Sequence, residues 1–165
     1  MSKALSDNSE HTERLCSLFD LGAPREKPSR VAGGFHHCMW RLETQGGCFA
    51  VKQLADDMDM NDAATVAQIN ATEVTACEFS RHEVPALHSL HVDRQHLHLL
   101  DGIGYLVYPW TNASACHRNG IKERHAITVA QMLAHMHRSD IDVPDLGDVP
   151  AFPVTAERVI DLVQL

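Results

Sequence analysis

One lysine stands out among apolar neighbours: Phe49-Ala50-Val51-Lys52, on what alternation reads as the third of three strands, downstream of Gly33-Gly34-Phe35-His36-His37. An ammonium among apolar side chains is costly unless an anion meets it. A glycine turn exposes backbone N–H groups of the kind that cradle phosphate. Together they point to a nucleotide phosphate site. The bland alternative is a lysine snorkelling from a sheet edge, its stem covering apolar surface and its charge in water. A carboxylate on the following helix favours the first reading. Glu73 is the leading choice; Glu78 lies about 140° further round the helix, so the two cannot serve the same lysine.

The elements that must position these residues follow from periodicity and turn residues. Leu15, Leu18 and Phe19 give a helical spacing over about 11–21, ended by Gly22 and Pro24. A strand including Arg30 to Ala32 precedes a hairpin of Cys38 to Thr44 and Cys48 to Leu54, closed by Gln45-Gly46-Gly47. Alternation puts Phe49, Val51 and Gln53 on one face of the third strand and Ala50, Lys52 and Leu54 on the other. A polar stretch with N-cap candidates, Asp56 to Asp62, leads into a helix over about 63–82, with Val66, Ile69, Val74, Cys77 and Phe79 as its buried candidates. Val84-Pro85 stops it.

Gln95 to Leu100 and Tyr105 to Trp110 read as two more strands around an Asp101-to-Gly104 turn, with His88 to Val92 as a short candidate before them. Pro109 belongs at a strand end or an edge. A helix over about 123–138, a proline-punctuated loop at 145–153 and a further helix over 155–165 complete the chain. Short hairpins and interspersed helices predict an α+β fold with mostly antiparallel pairing.

The 165 residues suffice for one domain with a core, or a small lobe with extra helices, and order is expected beyond the polar N-terminal stretch. A net charge of −8 argues against a nucleic-acid or anionic-membrane partner. It is compatible with a cationic substrate. Five scattered cysteines without a C-x-x-C pair read as reduced thiols. No apolar run is long enough to span a bilayer and no signal core opens the chain, so a cytoplasmic location is expected. Twelve histidines raise the question of a metal. His96 and His98 share a strand face, whereas His135 and His137 lie about 200° apart on a helix. No spacing gathers four zinc ligands, and no metal site is expected.

In order along about Ser29 to Asp140, the motifs resemble the aminoglycoside/choline phosphotransferase family, small-molecule kinases with a protein-kinase-like fold. The resemblance rests on Gly33-Gly-Phe-His-His-x-Met-Trp-Arg-Leu-Glu-Thr44, Gly47-x-Phe-Ala-Val-Lys52, the Glu73 helix before Val84-Pro85, Leu106-Val-Tyr-Pro-Trp110, and Met132-Leu-Ala-His-Met-His137. It implies a nucleotide-binding lobe over 1–110, an antiparallel sheet of about five strands plus a long helix, and over 111–165 a hinge and the first helices of an incomplete second lobe. It implies ATP as cosubstrate, with Gly33 in the glycine turn and Gly34, Phe35 and His36 over the phosphates. Lys52 would contact the α/β-phosphates, oriented by Glu73, and the backbones of Tyr108 and Trp110 would meet the adenine edge.

The departure from the family is as informative. A His-x-Asp catalytic loop with asparagine five residues beyond the aspartate should follow, then an acidic metal-binding motif. His137-Arg-Ser-Asp140 has the wrong spacing, and Asp145 stands where asparagine belongs. No catalytic residue is assigned, and Mg2+ is expected only with the missing half. The leading expectation is the ATP-binding part of an enzyme that phosphorylates a hydroxyl of an aminoglycoside- or choline-like acceptor, inactive as this truncated chain. The alternative is a non-catalytic lobe that binds nucleotide or protein; an unrelated α+β domain is the third. Helices meant to face a second lobe imply self-association.

Overall fold

The computed structural model describes residues 4–32, 36–114, 116 and 120–141. Gly33, Gly34 and Phe35, the expected loop at 145–153 and the expected helix at 155–165 lie outside them. The fold is α+β. Its elements are α1 (Ser9–Leu18), β1 (Ser29–Val31), β2 (Cys38–Thr44), β3 (Gly47–Gln53), α2 (Ala63–Arg81), β4 (His98–Leu100), β5 (Ile103–Pro109) and α3 (Glu123–Arg138). The strands form one antiparallel sheet in the order β1-β2-β3-β5-β4. Among the described residues no helix is long and apolar enough to cross a membrane, and all five cysteines are free thiols.

The period-2 pattern of the hairpin sorts side chains onto two faces, as expected. Trp40, Leu42, Val51, Tyr105 and Val107 pack with Leu5, Leu15 and Cys16 into one buried cluster. Leu54, Leu106, Met60 and Leu97 form the other, against Val66 and Ile69 of α2. The sheet is thus covered by the N-terminal segment on one side and by α2 on the other. Gly104 permits that second cluster to close: a Cβ there would stand 2.8 Å from Leu54 Cδ1 and 3.0 Å from Met60 Sδ.

Several expectations are corrected. The N-terminal stretch is ordered from Ala4 onward: a 3-10 turn at Leu5–Asp7 buries Leu5 completely, and the Leu5 N–H donates to Gln53 Oε1 at 3.2 Å. Leu18 is exposed, because α1 turns His11, Thr12, Leu15 and Cys16 inward instead. On α2 only Cys77 of the five apolar candidates is fully buried, joined by Ala71 and Glu73. The others are half-buried on a helix whose face is broad and weakly apolar.

β4 begins at His98, not Gln95. The reason is Asn70 of α2, whose Oδ1 accepts from the backbone N–H groups of both His96 and Leu97 at 2.9 Å. Those donors cannot also enter a ladder. His96 and His98 therefore do not share a strand face; His98 stacks edge-on against Phe19, and His96 turns toward Ser89. His88 to Val92 forms no strand, although Leu90 N–H donates to Val107 O at 2.6 Å. The turn before β5 is Asp101-Gly102, two residues shorter than expected, with both residues at positive φ.

Asn70→Ala should cost about 2 kcal/mol in a urea denaturation, since two backbone donors lose their acceptor. Amide hydrogen exchange at His96 and Leu97 should accelerate while that of the β2–β3 hairpin holds. Equal protection in both proteins would show that Asn70 does not set the start of β4.

Candidate functional site

β2, β3 and β5 bring the candidate residues to the α2 face of the sheet. Met39, Lys52 and Leu106 stand abreast across the three strands, and Val31 of β1 pairs with Met39. The connection that carries Gly33, Gly34 and Phe35 therefore leaves and re-enters the sheet at the level of Lys52. One step along, Arg41, Ala50 and Tyr108 form the next row on the same face.

Lys52 is half-buried, and its ammonium has no hydrogen bond or ion pair among the described residues. Its charge acts on His37, half-buried just before β2. Burial, and then the Lys52 charge and His36, hold the His37 imidazole below its ordinary range, with Asp57 opposing them. His37 Nδ1 accepts from the Ala55 N–H at 3.2 Å, which pins the residues after the glycine turn to the end of β3. His36 is exposed and pairs with Asp57 at 3.2 Å.

Glu73 lies on α2 on this side of the sheet and is buried, but no ion pair joins it to Lys52. Both carboxylate oxygens are occupied: Oε1 accepts from the Tyr108 hydroxyl at 2.6 Å and Oε2 from the Ser89 N–H at 2.8 Å. Desolvation, reinforced by that bond and the Glu73 charge, pushes the Tyr108 phenol far above its ordinary value. Tyr108 is therefore a neutral donor at any physiological pH. The expected Lys52–Glu73 clamp is replaced here by a Tyr108–Glu73–Ser89 tie between β5, α2 and the chain before β4.

The Tyr108 and Trp110 backbones also have partners. Trp110 N–H donates to Cys48 O at 3.2 Å, and Leu54 N–H donates to Gly104 O at 2.9 Å, six residues away along the same continuous register. Antiparallel pairs alternate between bonded and non-bonded, so Tyr108, in phase with both, turns its N–H and C=O toward Ala50. Pro109, exposed at the end of β5 where a proline belongs, is the residue of this segment whose carbonyl faces away from β3.

Arg41 on this face, and Asn112 beyond β5, were given no role by the sequence reading. The Arg41 guanidinium lies 5.3 Å from the Trp110 ring centroid, and the Trp110 indole N–H donates to Asn112 Oδ1 at 3.1 Å. Parity along β2 would have placed Arg41 beside Ala50, but nothing in the sequence reveals its aromatic partner. The result is an open strip with an unpaired cation at Lys52 among the described residues, Arg41 ion-paired with Glu43, a tyrosine and a tryptophan flanking it, and Glu73 withdrawn into its own hydrogen bonds. Such a strip can receive a polyanion carrying a planar group. No group of three or more His, Cys, Asp or Glu side chains among the described residues could hold a metal ion. No protein-family model matches this chain, and no curated protein matches it either.

The Lys52 charge acting on His37 gives a direct check. Lys52→Met should raise the His37 midpoint in an NMR pH titration, and an unmoved midpoint would separate the two groups. His37, His96 and His98 are all held below the ordinary histidine value, with burial as the first cause in each. The folded chain then binds fewer protons than the unfolded one just below the free-histidine value of about 6.5. Stability present above that pH should fall as pH drops through it toward the lowered folded values. A urea midpoint that is flat between pH 7.5 and pH 5.5 would contradict this.

Proposed function

We propose that this chain is the nucleotide-binding lobe of a kinase-like phosphotransferase, binding ATP on the α2 face of the sheet. The observation that carries the reading is the Lys52 ammonium: half-buried, without an acceptor among the described residues, and level with the glycine-bearing connection. A cation so placed gains most when a phosphate oxygen meets it, because the interaction is partly withdrawn from water. In this reading Lys52 takes the α/β-phosphates, the turn at Gly33, Gly34 and Phe35 covers them, and His36 closes the near side. Adenine lies along Tyr108 to Trp110, against the Trp110–Arg41 pair, and Pro109 O offers the outward acceptor. Glu73 acts by fixing Tyr108 and α2, not by gripping the lysine.

The phosphoryl-transfer step has no residues here to carry it. Transfer depends on metal-neutralised charge and a base that orients the acceptor, and the motifs for both are missing from the sequence. The lobe would supply ATP to an enzyme acting on a hydroxyl of an aminoglycoside- or choline-like acceptor, with 1–110 as the lobe and 111–165 as the approach to the second.

A second reading, a protein-binding module, is favoured by α3. It buries none of its side chains, and Ile127, Val129, Leu133 and Met136 are exposed on it. An apolar surface of that kind marks a contact for another lobe or a second copy.

Lys52→Ala should weaken binding of a non-hydrolysable ATP analogue at least tenfold, about 1.4 kcal/mol, with little change in melting temperature. A variant that unfolds, from a wild type with no measurable nucleotide affinity, would return Lys52 to a packing role. In sedimentation velocity the apparent mass should rise with concentration and Leu133→Glu should suppress the rise. A monomer at all concentrations would remove the self-association.

A further inference from the structure

A second basic site lies away from the Lys52 strip. A cavity of about 460 Å3 opens between the C-terminal half of α2 and the turn at Val92–Gln95, with Cys77, Glu78, Arg81, His91, Arg94 and His96 in its wall. Arg81 is ion-paired with Glu78. Arg94 has no ion pair or hydrogen bond among the described residues. Its turn is closed by reciprocal backbone bonds between Val92 and Gln95 at 3.0 and 2.8 Å, so the guanidinium is presented from a fixed base.

His96 decides the sign of the ligand. It is 2% exposed, and its Nδ1 lies 2.9 Å from the hydroxyl of Ser89, itself fully buried. That hydroxyl has no other acceptor among the described residues, so it donates to Nδ1. The imidazole proton then sits on Nε2. Nε2 has no partner among the described residues, and every fully buried side-chain polar atom there has one. Nε2–H is therefore a donor reaching the cavity. The His91 ring, 5.2 Å from that of His96, is a further basic group at the same wall. Arg81 and Glu78 balance one another in charge, so the uncompensated groups of the wall are the Arg94 guanidinium and the imidazole N–H, a cation and a donor.

We infer that this cavity is an oxyanion site that takes the phosphate group of a small phosphomonoester through Arg94, Arg81 and Nε2 of His96. An unpaired guanidinium, a second that shares its donors with Glu78, and an N–H donor in one wall can meet several oxygens of a tetrahedral anion, where a planar carboxylate offers two. The volume exceeds what a bare phosphate ion fills and leaves room for a few carbon atoms. Burial, then the neighbouring His91, hold the His96 imidazole below its ordinary range, with the Glu73 charge foremost against them; a bound anion works in the same direction as that charge. The site does not depend on the nucleotide reading, since none of its residues belongs to the Lys52 strip.

The test is titration of the 15N-labelled full chain with inorganic phosphate, glycerol 3-phosphate and acetate at constant ionic strength, following the histidine ring signals. Glycerol 3-phosphate should shift His96 and His91 saturably and raise the His96 midpoint, with inorganic phosphate weaker and acetate without saturable effect. Arg94→Gln should weaken the phosphoester at least tenfold, while Lys52→Met should leave it unchanged. Equal response to acetate, no saturation with either phosphate, or loss of binding in Lys52→Met would each overturn the site. Inorganic phosphate binding as tightly as the ester would overturn the ester and assign the free ion. Should Arg94→Gln disturb the turn, the comparison of glycerol 3-phosphate with acetate on the unaltered chain decides alone.

Discussion

The hydrogen bonds to the Glu73 carboxylate hold the candidate face in place. A buried carboxylate must be met by donors or it destabilises the fold by several kcal/mol. Here one oxygen takes a hydroxyl from β5 and the other a backbone N–H from the chain before β4. Three segments distant in sequence are thereby fixed at one point. Asn70, one turn earlier on α2, repeats the device by capping the N–H groups of His96 and Leu97. α2 is held to the sheet as much by these polar clasps as by apolar burial, which explains why so few of its side chains are fully buried.

The sheet supplies what the clasps do not: a ruler. Register in an antiparallel ladder fixes which side chains share a face and which backbone groups remain available. It sets Lys52 level with Met39 and Val31, the residues on either side of the connection, without any local motif linking them. The same register commits the Tyr108 and Trp110 backbones to β3. Sequence similarity to a hinge cannot see this, because the motif specifies residue types and the phase of pairing decides which carbonyl faces outward.

The hairpin from Cys38 to Gln53, the two long helices and the face of Lys52 were legible because each depends on local periodicity or a turn residue. Gln45-Gly46 closes the hairpin, Asp62 caps α2, and Val84-Pro85 ends it. What escaped depends on partners far along the chain. Leu5 is buried because Gln53 receives its N–H, and β4 is short because Asn70 intercepts two donors. His11 is a buried residue of α1 because Tyr105 lies 3.0 Å from one ring nitrogen and Asp101 2.9 Å from the other. A histidine at that place in a helix reads as polar until its two partners, some ninety residues on, are known. The Lys52–Glu73 pairing failed to form for the same reason: nearer donors occupy the carboxylate.

That failure bears on what Lys52 is for. A lysine retained for packing keeps its stem on apolar surface and its charge in water or on a carboxylate. Lys52 has the apolar neighbours, yet the available carboxylate on its face is engaged by a phenol and an amide, and Asp57 is engaged by His36. The arrangement spends the nearby acids on other donors and leaves the ammonium beside an imidazole whose proton affinity it lowers. With the lysine unneutralised among the described residues, an anion meeting Lys52 displaces no ion pair of that lysine, although Arg41 and His36 beside it are paired with Glu43 and Asp57. A Lys52 clamped by Glu73 would have had to share. On the proposed reading, the tie between Tyr108 and Glu73 is itself part of what would leave Lys52 free for phosphate.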